Sequence, residues 1–249
     1  MLFRSMAVAL VLVVVRAARA EGATLRPHLP GVRAAARAGV PLIVRTLTLR
    51  ASLLVTTYAV VLTASGAGSS TAVPVATHQL AMTLWGFLAY VLDAIAIAAQ
   101  AITGRFLGAG DVAATRAVTG RMVGWGIVSG VVTGLLLAAT SPWLGALFTT
   151  DAGVRDALVP VLLVAALAQP AAGVVFVLDG VLIGAGDGRY LARAGVIVLA
   201  GYAPLVLLTS ALGAGLPWLW AVFCAVFMGG RLATLVHRSR GDAWLVAGA

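Results

Sequence analysis

The stretch from residue 157 to residue 183 reads ALVPVLLVAALAQPAAGVVFVLDGVLI, and it decides the fold. No charge interrupts it from Ala157 to Leu178; a single carboxylate, Asp179, follows. A membrane-crossing helix needs about 20 mostly apolar residues. The apolar positions do not alternate with polar ones at period two, so the segment reads as a helix. Lipid offers no partner to open backbone groups, and a helix satisfies its own.

The same signal recurs along the chain. Residues 51–92, 122–150 and 194–230 are also free of charge. The first and last of these runs are too long for one crossing. Each holds a turn signal, Ser65-Gly66-Ala67-Gly68-Ser69-Ser70 and Gly213-Ala214-Gly215-Leu216-Pro217, and splits into two helices there. Six spans follow, at 40–64, 73–102, 122–140, 157–183, 191–212 and 216–236. The expected fold is all-α: a polytopic membrane protein built as a six-transmembrane-helix bundle.

Composition agrees. The 249 residues are 61% hydrophobic and 10% charged, with mean hydropathy +1.06. A soluble domain has roughly 25% charged residues, so an ordinary globular enzyme and a disordered chain are both excluded. One cysteine, Cys224, excludes a disulfide scaffold. All 17 basic residues are arginine, and the net charge is +9. In a soluble protein this would point to nucleic acid. Here the arginines flank apolar runs, and no nucleic-acid partner is expected.

Their sidedness gives the orientation. One side receives Arg16, Arg19, Arg26, Arg33, Arg37 and Arg45, then Arg105, Arg116 and Arg121, then Arg189 and Arg193, then Arg231, Arg238 and Arg240. The other side has Arg155. The positive-inside rule makes the fourteen-arginine side cytoplasmic, in the plasma (inner) membrane. The run Met6–Val15 is too short to span by itself. It reads as a signal peptide ending at Ala18-Arg19-Ala20, or as the tail of a longer helix that starts upstream. A cleaved signal would put Arg26, Arg33 and Arg37 outside, against the charge count, so the helix tail is the reading adopted.

No catalytic motif is present: no GxSxG, HExxH or Walker loop, and no closely spaced carboxylate pair. We therefore expect a non-enzyme with no metal site and no cofactor. Gly-Ala-Gly-Asp occurs at 108–111 and again at 184–187. Without a strand or a Lys it reads as a tight turn whose Asp caps the next helix. The repeat suggests an internally duplicated bundle, a habit of secondary transporters.

Three ionisable groups fall inside spans: Arg50, Asp93 and Asp179. A charge in hydrocarbon costs at least about 2.5–3.5 kcal/mol, so such groups pair or line a wet cavity. Either a proton or cation relay or a static Arg50–Asp pair satisfies that condition. Gln79, Gly86, Ala89, Asp93, Ala96 and Gln100 form one polar, small-residue stripe, opposite Leu84, Phe87 and Val91. The stripe is expected to face a cavity. Gly120, Gly124, Gly126, Gly130 and Gly134 form a ladder for close helix contact. Gln169 is a further cavity candidate, and Pro170 beside it marks a kink or hinge. Pro204 is similar. His78 reads as a hydrogen-bonded group, Cys224 as a small apolar filler, and Trp143, Trp218 and Trp220 as interfacial anchors.

Several motifs resemble multidrug and toxic compound extrusion (MATE) transporters, most of all their DinF-like bacterial branch. Gly39-Val40-Pro41-Leu42-Ile43 resembles the start of helix seven of that family. Leu92-Asp93-Ala94, Ala98-Ala99-Gln100 and Gly104-Arg105-Phe106-Leu107-Gly108-Ala109-Gly110-Asp111 are similar to the stretch that follows it. Leu147-Phe148-Thr149-Thr150-Asp151 with Val154 looks like the loop after helix nine. Gln169-Pro170 and Phe176-Val177-Leu178-Asp179-Gly180-Val181-Leu182-Ile183-Gly184-Ala185-Gly186-Asp187 resemble the helix-ten signature. The resemblance covers residues 26–195; spans five and six match in hydropathy alone.

The resemblance implies one lobe of a pseudo-symmetric twelve-helix transporter. It implies a helix-six tail and cytoplasmic linker at 1–38, a six-helix C-terminal lobe at 39–238 and a cytoplasmic tail at 239–249. The missing N-terminal lobe, or a second copy, would be the partner. It implies a secondary active efflux antiporter of amphipathic, often cationic, small molecules, driven by H+ or less favourably Na+. Asp179 would be the coupling carboxylate. Some relatives add an acid in helix seven, where this chain has Thr46-Leu47-Thr48-Leu49-Arg50. Two other readings stand beside this one. A lipid-linked-precursor flippase of the same superfamily would need a more cationic interior than Arg50 supplies. A non-transporting membrane scaffold or relic is the other.

Overall fold

The computed structural model describes residues 2–20, 22, 29–66 and 71–246. It divides into two units, Met1–Val40 and Pro41–Ala249. The first unit holds helix α1 (Leu2–Ala20), whose apolar run from Met6 to Val14 is exposed wherever it is described. Arg26, Glu21 and the turn residues 67–70 lie outside the described residues.

The remaining helices are α2 (Leu29–Gly66), α3 (Ala72–Gly108), α4 (Val112–Phe148), α5 (Ala152–Gly184), α6 (Gly188–Ala211), α7 (Leu216–Val222) and α8 (Gly229–Arg240). A π-helical segment, Phe223–Met228, joins α7 to α8, so Leu216–Arg240 acts as one span. Among the described residues, six helices are therefore long and apolar enough to cross a membrane. Most of them run past the expected limits: the 103–121 loop shrinks to residues 109–111, and the 184–193 loop to 185–187. Hydropathy marks where lipid ends. The helix continues past that point, because its hydrogen bonds do not depend on lipid and arginine is a good helix former.

Helix α5 is the centre of the bundle. More than half of its most apolar window is buried, against a third or less in every other span. Backbone-to-backbone contact makes this possible. A Cβ placed on Gly126, Gly130 or Gly134 of α4 would meet the carbonyls of Gly173, Gln169 and Ala166 of α5. A Cβ on Gly180 or Gly184 of α5 would meet the carbonyls of Ala96 and Gln100 of α3. The ladder read from sequence is thus used in part: Gly120 and Gly124 have open space around them. Pro170 leaves the Ala166 carbonyl without its helical donor, and the α4 backbone at Gly134 covers that carbonyl.

The two Gly-Ala-Gly-Asp turns close identically. Gly110 and Gly186 have φ of 77° and 75°, and Asp111 N–H and Asp187 N–H donate to the carbonyls of Phe106 and Leu182. Positive φ is the reason for glycine there. The aspartates then diverge. Asp111 accepts from Ala114 N–H at 2.8 Å, as a cap should. Asp187 makes no cap bond and instead accepts from Arg238 Nε at 2.6 Å, tying the turn to α8.

An aromatic cluster of Trp85, Tyr202, Trp220, Phe223 and Phe227 joins α3, α6 and the last span. Trp220 is fully buried there and is not an interfacial anchor; Trp143 and Trp218 are exposed. Both tryptophans of the Trp-x-Trp pair look alike in sequence, but they point to opposite sides of the helix. Trp220 donates to Nδ1 of buried His78 at 3.3 Å, and His78 Nε2 is 3.1 Å from Thr57 Oγ1. His78 is the hydrogen-bonded group expected.

Tyr202 OH lies 2.6 Å from Thr56 Oγ1, whose own proton goes to the Ser52 carbonyl, so tyrosine is the donor. Tyr202→Phe should leave the hydroxyl of Thr56 with an unfilled acceptor site and cost about 1 kcal/mol. Reversible unfolding in bicelles measures this, and no loss would show that the α2–α6 contact does not depend on the bond.

Candidate functional site

Helices α2, α3, α5 and the last span line an open cavity of about 490 Å³. Its walls are both apolar and charged. Met82, Trp85, Tyr90, Phe176, Phe227 and Met228 give the apolar area, and Arg45, Arg50, Arg231, Asp93 and Asp179 give the charge. The stripe on α3 faces it as expected: Gly86, Ala89, Asp93, Ala96 and Gln100 all line it. Gln79 does not. It is exposed, and 14 residues of helix carry it about 21 Å along the axis from Asp93.

Asp179 is the most connected group. Its Oδ1 accepts from Arg45 Nε at 3.1 Å, and a second Arg45 nitrogen reaches its Oδ2. Arg231 Nη2 stands 3.5 Å from the same Oδ2. All three side chains are 20% exposed or less. Asp179 thus ties α2 and α8 to α5. Arg231 also lies over Phe176 and Phe227, 6.0 and 5.8 Å from the ring centres. This stacking suits a flat, weakly hydrated guanidinium. Asp93 makes no ion pair within 4.0 Å among the described residues but feels the charges of Arg45 and Arg231.

Two sequence expectations are corrected here. The partner of Asp179 is Arg45 rather than Arg50. Sequence placed Arg45 among the flanking arginines, yet α2 begins at Leu29 and carries it well inside the helix. Arg50 is exposed to the cavity and has no carboxylate within 4.0 Å among the described residues. Gln169 does not line the cavity. Ten residues of helix turn it roughly 80° from Asp179, and it is buried with its carbonyl against Gly130. Its Oε1 has no hydrogen-bond partner among the described residues. Pro170 lies in the same α4–α5 contact.

Arg231 was missed as a cavity residue because it ends a charge-free run and reads as a flanking charge. The available signal was Phe227, four residues earlier on the same helical face. The π-helical segment just before it had no sequence signal; such segments mark functional sites in many helices. With Arg45 and Arg231 beside Arg50, the cavity has three guanidinium groups against two carboxylates.

Comparison with known proteins agrees with this architecture. Two solved structures superpose with a TM-score of 0.67 at 17% identity, over 84% of this chain and 44% of theirs. One is described as the outward-facing conformation of a multidrug resistance MATE family transporter of the MOP superfamily. The other is a MOP superfamily transporter from Pyrococcus furiosus, described as having a binding pocket of reverse polarity that suggests a different function. Among curated proteins, DETOXIFICATION 45 (chloroplastic) of Arabidopsis thaliana is 26% identical over 174 residues, 69% of this chain and 31% of its own length. DETOXIFICATION 44 (chloroplastic) of the same plant is 31% identical over 146 residues, 58% of this chain and 28% of its own length. The chain therefore spans about a third of these relatives and less than half of the two structures. The family model described as MatE matches residues 48–208, from the middle of α2 to near the end of α6. That match covers more than half of the chain, and the protein belongs to the MatE family of membrane transporters.

Proposed function

We propose that this chain forms one lobe of a secondary active efflux antiporter that exports amphipathic small molecules and takes up H+ in exchange. The observation that carries the reading is the Asp179 carboxylate, shared by guanidinium groups of two other helices in the wall of the cavity. A proton on Asp179 removes the charge that holds Arg45 and Arg231. It would loosen α2 and α8 from α5, and loss of the proton would restore the ties. Proton and cargo then exclude one another through the fold: the cavity walls are in position only while the carboxylate is charged. Asp93, with no ion pair among the described residues, is the second titratable group, and Pro170 is the point where α5 would bend. A cationic cargo could also compete with the proton directly; the ties act whatever the cargo's charge.

H+ is favoured over Na+ because a metal cation needs several oxygen ligands, whereas both oxygens of Asp179 already face guanidinium nitrogens, which have no lone pair to offer. The resemblance to the DinF-like branch, and a partner lobe or second copy facing the cavity, complete the reading. With Arg45 and Arg231 taken out of the sidedness count, twelve arginines still face one, so the Gly-Ala-Gly-Asp turns are assigned to the cytoplasm and the chain to the plasma membrane.

The test is transport by the complete protein, this lobe with its partner, in liposomes loaded with ethidium or carboxyfluorescein. A pH gradient, acid on the side to which dye is exported, should drive one of them out against its own gradient, and nigericin should stop it. A Na+ gradient that replaces the pH gradient would overturn the proton assignment. Movement that ignores both gradients would overturn secondary transport.

A further inference from the structure

The geometry points to an organic anion as the cargo of this cavity: a carboxylate or phosphate group held by Arg50 and Arg231, on an apolar body packed against Trp85 and Phe176. The inference rests on the reading of the cavity as a cargo site and adds the cargo's chemical class. Three observations carry it.

First, the charge is unbalanced. Arg45, Arg50 and Arg231 line the cavity with Asp93 and Asp179, which leaves one positive charge in excess. A cation entering this space meets net repulsion, and an anion meets net attraction. Second, the three arginines are unequally engaged. Arg45 is engaged by Asp179 through two nitrogens, while Arg50 has no carboxylate within 4.0 Å among the described residues and is exposed to the cavity. Arg231 touches Asp179 through one nitrogen at 3.5 Å. A guanidinium carries five N–H donors in a fixed fork, so Arg50 and Arg231 keep donors for a planar or tetrahedral oxyanion. Third, the rest of the wall is apolar and aromatic: Trp85 and Phe176 line the same space of about 490 Å³, and the Phe176 ring lies 6.0 Å from Arg231. That volume is typical of small-molecule sites built from apolar walls and a few placed polar groups. A fixed pair of carboxylates would be the corresponding choice for a cation, but here arginine already occupies one of the two.

Charge alone would have a proton on Asp179 strengthen anion binding. The ties oppose this. Asp179 fixes the position of Arg231, and a protonated Asp179 lets that donor move away from the site. An anionic cargo is therefore compatible with exchange against H+.

The experiment is equilibrium binding to the full 249-residue chain in lipid nanodiscs, with no gradient imposed and empty nanodiscs as the blank. The probes are tritiated naphthalene-2-acetate and its cationic analogue 2-(2-naphthyl)ethylammonium. The anion should bind at least about tenfold more tightly than the cation. Arg50→Gln should weaken the anion about tenfold, the scale of one hydrogen bond to a charged group. Arg50→Lys should keep more of the affinity, and Asp93→Asn should strengthen it. Equal or tighter binding of the cation would overturn the inference, as would Arg50→Gln and Asp93→Asn moving the anion in the same direction. Dioctanoyl phosphatidate, with dioctanoylglycerol as its neutral control, separates the sources. Displacement by phosphatidate alone supports a lipid phosphate head group, and its failure beside tight naphthaleneacetate binding supports a soluble carboxylate. Because no gradient is used, a failure of proton-driven transport leaves this result standing, and a failure here leaves transport untouched.

Discussion

Asp179→Asn is expected to abolish gradient-driven export by the complete transporter and to lower the stability of this chain by about 3 kcal/mol. The substitution keeps the shape and removes the charge. Arg45 and Arg231, both largely buried, then lose their shared counter-charge. Removing one partner of a buried pair typically costs about 3–5 kcal/mol, because an uncompensated charge is left inside. The lower end is taken because Asp93 remains within Coulombic range of both arginines. A stability effect by itself would not identify a coupling residue. The double variant Asp179→Asn/Arg45→Gln makes that distinction. Neutralising one stranded arginine should recover about 1–3 kcal/mol, the usual size of coupling between contacting groups. Export should stay lost, since no group is left at this position to take up and release a proton. Recovery of export by the double variant would mean that Asp179 only balances charge. Unfolding in bicelles and the liposome dye assay give the two readings from one preparation.

The second large effect is expected at Gly173, a position with no charge. A methyl group there would fall on the backbone carbonyl of Gly126 across the α4–α5 contact. Backbone cannot swing aside as a side chain can, so the two helices must separate along their length. Gly173→Ala should therefore cost about 2–3 kcal/mol, at the upper end for overpacking. Gly124→Ala is the matched control on the partner helix. Nothing lies within 4 Å of a Cβ at that position. In a helix interior, alanine replaces glycine at a gain of about 0.5–1 kcal/mol. The same substitution should thus destabilise at one glycine and stabilise at the other. Destabilisation at both positions would mean that flexibility, not close approach, is what the glycines provide.

The glycine pair also marks the limit of what could be read from the chain alone. Gly120-x-x-x-Gly124 has the expected spacing for helix contact, yet the contact is made on another face, at Gly126, Gly130 and Gly134. Spacing sets which residues share a face. Which face meets a neighbour depends on how six helices divide the available space.

The local physics was legible in the sequence. Apolar runs long enough for lipid gave the six helices, because backbone groups in hydrocarbon have no other solution. The Gly-Ala-Gly-Asp turns were legible because positive φ requires glycine. The α3 stripe with Asp93 was legible because one helix carries the whole pattern. Asp179 stood out by the cost of a charge inside an apolar run. The partners of Asp179 were not legible. Arg45 lies 134 residues away on α2 and Arg231 lies on α8, and each reads locally as a charge at the end of a span. The sequence by itself determined a six-helix membrane bundle with a carboxylate in α5. Only the tertiary structure decided that two arginines hold it and a third shares its cavity, because charge balance in a cavity is a sum over helices and no single helix contains it.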